Sequence, residues 1–82
     1  MVNVLRADGS VEEFETKKLP LEQAQALVGG YVERVVHGGC VFLCNEEGLI
    51  KGLPFNLAAS LAAERQLVGD VVVLPGRGNG GW

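Results

Sequence analysis

Residues 68–74, Val-Gly-Asp-Val-Val-Val-Leu, close on four consecutive apolar side chains. Successive side chains of a strand point to opposite faces, so a strand made from this run has no polar face to offer water and must be covered on both sides. That requirement predicts a central strand, flanked by other strands and covered by helices. An 82-residue chain holds one hydrophobic core, because a folded chain this short still exposes much of its surface. The covering elements must therefore come from a single small domain.

The sequence upstream supplies them. Val2–Leu5 and Val11–Glu15 are β-prone runs separated by Arg6-Ala7-Asp8-Gly9-Ser10, and Asp8-Gly9 is a hairpin-turn pair. Pro20 suits a helix start, Leu21, Ala24, Leu27 and Val28 make one apolar stripe, and Gly29-Gly30 ends it. The β-prone Tyr31–Val36 passes through His37-Gly38-Gly39 into Cys40–Cys44, a second hairpin. After the turn-like Asn45-Glu46-Glu47-Gly48, Leu49–Gly52 reads as a third strand completing a meander. Pro54 stops the sheet. Asn56 then caps a second helix over about Leu57–Arg65, with Leu57, Ala58, Leu61 and Ala62 as its buried stripe.

The order hairpin, helix, meander, helix, strand predicts an α+β fold over residues 1–74, with a mixed, mostly antiparallel sheet covered by two helices. Residues 75–82, with four glycines in eight, form a C-terminal tail of different composition.

Composition excludes several function classes. The chain is 48% hydrophobic and 21% charged, which is the balance of a folding domain. A net charge of −3 without clustered Lys or Arg argues against binding a DNA or RNA duplex. Ten acids offset by seven bases are too few for a DNA mimic. The amino terminus lacks a basic segment followed by a long apolar core, and no stretch is long enough to span a bilayer, so a cytoplasmic protein without membrane contact is expected. Cys40 and Cys44 lie on one strand with Cα atoms roughly 13 Å apart, too far for a disulfide. With His37 they do not make a zinc set, so no metal is expected. A thin core then leaves homo-oligomerisation as the available reinforcement.

Catalytic machinery is equally sparse. His37 is the single histidine, while Ser10 and Ser60 fall in a turn and on a helix without a nucleophile-elbow context. The cysteines sit in apolar surroundings that do not make a thiolate. Glu46 and Glu47 are adjacent and diverge, unlike a paired acid and base. The expectation is a binding protein with no enzymatic activity and no cofactor. The tail offers unhindered backbone N–H groups, but phosphate loops precede a helix, which residues up to Trp82 do not form. It reads as flexible or tucked against a neighbouring subunit. The functional alternative sets Arg77 on a phosphate and Trp82 on a base.

Three segments, Leu27-Val28-Gly29-Gly30-Tyr31-Val32-Glu33, Cys44-Asn45-Glu46-Glu47-Gly48-Leu49-Ile50-Lys51-Gly52-Leu53-Pro54-Phe55-Asn56 and Val68–Val73, resemble a family of small uncharacterised domains encoded mainly by bacteriophages, prophages and other mobile elements. The resemblance covers most of residues 1–74, and the tail from Pro75 departs from it. It brings no catalytic residues. It implies a phage setting, in which two binding modes are expected. In the first, an oligomer sequesters a cyclic nucleotide or other nucleotide signal at a subunit interface, with Tyr31, Arg34, Asn45, Lys51, Arg77, Asn79 and Trp82 as candidate ligand-binding residues. In the second, an exposed strand edge or the Glu46-Glu47 turn blocks a host defence protein. A structural or regulatory accessory domain is the third reading.

Overall fold

A computed structural model describes residues 2–16 and 19–75. Seven elements follow in order: β1 (Val2–Leu5), β2 (Val11–Phe14), α1 (Leu21–Val28), β3 (Val32–His37), β4 (Cys40–Asn45), α2 (Leu57–Ala63) and β5 (Val71–Pro75). The five strands form one sheet in the order β2-β1-β5-β4-β3, and every pairing is antiparallel. The fold is α+β, as the sequence predicts, although the sheet contains no parallel pair. Both predicted hairpins form. Gly38 and Gly39, at φ 57° and 77°, make the two-residue turn between β3 and β4, where only glycine takes two successive positive φ values without strain.

The last described strand lies at the centre, paired with β1 from Asn3 opposite Val73 and with β4 from Cys40 opposite Pro75. Its side chains alternate between two apolar layers. Val72 and Leu74 join Val2, Val4, Val41 and Leu43 beneath Ala24 and Val28 of α1. Val71 joins Phe42, Cys44 and Val35 beneath Ala59 and Ala63 of α2. One helix covers each face, so a strand without a polar side loses water on both. Helix α1 ends at Gly29, φ 80°, and the N–H groups of Gly29 and Gly30 both reach Gln25 O.

Two expectations are corrected. Leu49–Gly52 is a succession of turns and not a third meander strand. Both edges of β4 are already occupied by β3 and β5, leaving no edge for Leu49–Gly52 to pair with. Its backbone groups bond locally instead: Lys51 N–H to Glu47 O, Gly52 N–H to Leu49 O and Leu53 N–H to Gly48 O. The second correction concerns α2, which ends at Ala63 and faces the other way round. Ala59 and Ala63 are buried, whereas Leu57 and Leu61 of the predicted inner stripe are 61% and 70% exposed.

Hydrogen bonds set that rotation. The Asn56 side chain accepts from Ala59 N–H at 3.0 Å and donates to Leu5 O and Gly69 O, both at 2.8 Å. One turn on, the Ser60 hydroxyl accepts from Leu67 N–H and donates to Leu67 O. Asn56, Ala59, Ser60 and Ala63 share one side of the helix, and with two of them bonded inward the leucines must point out.

Candidate functional site

The candidate residues from the sequence separate into three groups. Tyr31, Asn45 and Lys51 come together where α1 ends and β4 leaves the sheet. Gly30 marks the meeting point: a Cβ there would lie 2.9 Å from Asn45 Nδ2 and 3.1 Å from Lys51 Nζ. Tyr31, Lys51, Gln25, Gly30 and Glu47 line a shallow cleft of about 220 Å³. Arg34 sits on β3 opposite Leu43, on the α1 face and three residues along from Tyr31, and does not line this cleft. Arg77, Asn79 and Trp82 lie outside the described residues.

The cleft has mixed electrostatics. Tyr31 is two-thirds exposed and offers a ring face for stacking. Asn45 is buried, and its amide serves the fold: Nδ2 donates to Val28 O at 3.1 Å and Oδ1 accepts from Glu47 N–H at 2.8 Å. Lys51 Nζ lies 3.8 Å from Glu47 Oε1, one helical-type turn away. Its ammonium also sits beside the C-terminal end of α1, the negative end of the helix dipole, and α1 has no basic residue in its own last turn. A phosphate entering here would meet a lysine already faced by a carboxylate and a helix C-terminus.

A second cleft of about 250 Å³ opens between the 46–50 turns and the segment after α2. Cys44, Leu67 and Val68 bring apolar surface to it, Leu49 and Ile50 form a wall, and Arg65 brings a cation. Burial raises the Cys44 thiol pKa; Glu33 adds to this and Arg65 opposes it. The thiol sits 3.7 Å from Glu33 O. Cys44 is thus held in its neutral, unreactive form. A third depression, of about 400 Å³, adjoins Arg6 and Asp70. The Arg6 guanidinium bonds Asp70 at 2.8 Å and Glu12 at 2.6–2.8 Å, and these two carboxylates raise its pKa further. Asp70 also accepts from Ala7 N–H, so this cluster locks the β1–β2 turn to the start of β5.

Among the described residues, no three His, Cys, Asp or Glu side chains group as a metal site. His37 Nε2 pairs with Glu64 Oε2 at 2.6 Å, whereas the hydroxyls of Ser10 and Ser60 bond Asp8 and Leu67. No described helix is long and apolar enough to cross a membrane.

Sequence reasoning missed the most exposed large apolar side chain among the described residues, Ile50, and its exposed neighbour Leu49. Ile50 is 88% exposed and Leu49 68%, at the tip of the turns between Asn45 and Leu53. The tip stands on a well-bonded base. Gly48 is buried against Val68, Gly48 N–H bonds Asn45 O, and Asn45 in turn ties the loop to α1. The available signal was Gly48 and Gly52 bracketing Leu-Ile-Lys, a turn composition around two aliphatic residues.

A family model described as "Domain of unknown function (DUF3846)" matches residues 2–81. The match runs past Leu74, so the region resembling known small domains takes in most of the glycine-rich tail as well. No curated protein and no solved structure matches the chain.

Proposed function

We propose that this chain, which belongs to the DUF3846 family of unknown function, acts by binding a partner protein through the aliphatic tip of its 46–53 loop, without catalysis. The observation that carries this reading is the 88% exposure of Ile50 on a loop held by its own hydrogen bonds. An aliphatic side chain held out by a pre-ordered loop loses little entropy on docking and supplies an apolar anchor for a partner's pocket. The neighbouring Glu46 and Glu47, both exposed, would form a polar rim to the contact. The motif resemblance to domains of phages and prophages supports a host defence enzyme or effector as the partner, blocked by occupation of an apolar pocket.

A photo-crosslinking residue at position 50 tests this in bacteria carrying defined phage-defence systems. A discrete adduct with one defence component is expected, absent from a control with the same residue at exposed Glu22. Wild-type chain should also restore phage plating on that strain, and Ile50→Asp should not. Identical adducts from positions 50 and 22, or full activity of Ile50→Asp, would remove the loop tip from the function.

Sequestration of a nucleotide signal is the second reading, favoured by Tyr31 and Lys51 sharing one cleft. Calorimetry against cyclic di- and trinucleotides separates the two. Binding that Lys51→Ala abolishes and Ile50→Asp leaves intact would favour the cleft over the loop.

A further inference from the structure

The geometry points to a second copy of this chain as the occupant of the outward face of α2, paired antiparallel across a two-fold axis. Leu57–Ala63 is Leu-Ala-Ala-Ser-Leu-Ala-Ala, without a charged side chain. A helix at a protein surface ordinarily turns charged or polar residues outward, and one that is apolar all round belongs in an interior. Here Ala59 and Ala63 are buried against the sheet, and Leu57, Ala58, Leu61 and Ala62 are all exposed on the opposite side.

The order of large and small residues on that outer face is self-complementary. With the axis passing between positions 59 and 60, an antiparallel pair sets Leu57 against Ala62 of the second copy and Ala58 against Leu61. By symmetry the same two contacts recur, so each leucine meets an alanine, and no leucine opposes a leucine. Large against small is the arrangement that lets facing layers interdigitate. Charge points to self-contact too. A two-fold interface lays a surface against itself, so any charge near its axis meets its like, and the chain as a whole carries −3. The outer face of α2 brings none, and Glu64 and Arg65 lie beyond the helix end.

Four side chains on two helical turns offer on the order of 300 Å² per copy, against roughly 800 Å² per partner in a standard interface. The pair is therefore weak and transient. The four side chains of this contact do not include Ile50, so assembly and partner binding rest on different residues.

Sedimentation velocity of the full chain from about 10 to 1000 µM tests this. The weight-average mass should rise from one chain toward two, while Leu61→Lys stays at one chain with an unchanged far-UV spectrum. Ile50→Asp should associate like wild type. The register has its own test: Ala58→Glu and Leu61→Lys are each monomeric, and an equimolar mixture associates, because position 58 faces position 61 of the other copy. A monomeric wild type at the highest concentration, association of Leu61→Lys equal to wild type, or a mixture that stays monomeric would each overturn the proposal.

Discussion

Asn56 does more for this fold than any other polar residue described. Fully buried, its side chain caps α2 and also bonds Leu5 O at the end of β1 and Gly69 O before β5. Asn56→Ala removes the cap and leaves one buried and one part-buried carbonyl without this donor, a loss of about 3 kcal/mol in denaturant unfolding. A loss under about 1 kcal/mol would mean the carbonyls find other donors. Asp8 offers a pH-dependent counterpart. Its carboxylate accepts from the Ser10 hydroxyl at 2.7 Å and the Ser10 N–H at 2.8 Å, and these bonds hold its pKa below the usual value. A depressed folded-state pKa contributes stability above the unfolded pKa, and that contribution disappears as pH falls through the folded value. In an NMR titration, Ser10→Ala should move the Asp8 midpoint upward toward the ordinary carboxylate range. An unmoved midpoint would assign the depression to the backbone bond alone.

Helix α2 shows what an element inherits from its neighbours. It closes on Glu64, the one described non-glycine residue with positive φ, at φ 54° and ψ 39°. A side chain in that conformation costs about 1 kcal/mol relative to glycine, whereas the exposed pair of Glu64 with His37 returns only a few tenths. Glu64→Gly should therefore raise the thermal midpoint, by several degrees for a domain of this size. A fall would show that the His37 contact outweighs backbone strain. The same element marks the limit of sequence reading. Asp8-Gly9, Gly38-Gly39, Pro20, Gly29 and the Asn56 cap were legible because each states local backbone chemistry, and Val71–Leu74 because four apolar residues in a strand admit one environment. The facing of α2 was not, since Ser60 and Asn56 fix it through partners at Leu67, Leu5 and Gly69, which no periodicity reveals. The Leu49–Gly52 turns were misread for a related reason: nothing local says that β4 has already been paired on both sides. In the site, Tyr31 and Lys51 were found as residues, but Glu47 beside the lysine and the outward Ile50 emerge only when the loop closes.

At the scale of the whole molecule, the sheet consists of two hairpins that do not pair with each other. The β1–β2 ribbon and the β3–β4 ribbon are joined in the sheet by β5 alone, which arrives last in the chain and pairs Asn3 with Val73 across nearly its full length. Neither ribbon is stable by itself in water, and each gains its second covered face only when β5 brings the two helices over a common core. The domain should therefore unfold as one unit, with β5 and β4 amides exchanging only through global opening. The four-residue edge strand β2, exposed at Val11, Glu12 and Glu13, should exchange through local fraying. Val72→Ala probes the joint. Val72 is fully buried in the α1 layer, and its truncation costs about 2 kcal/mol. If β5 couples the ribbons, native-state hydrogen exchange will show that loss equally in the slowest amides of β1, β4 and β5. Protection that falls in one ribbon and survives in the other would show that each half holds its structure without the strand between them.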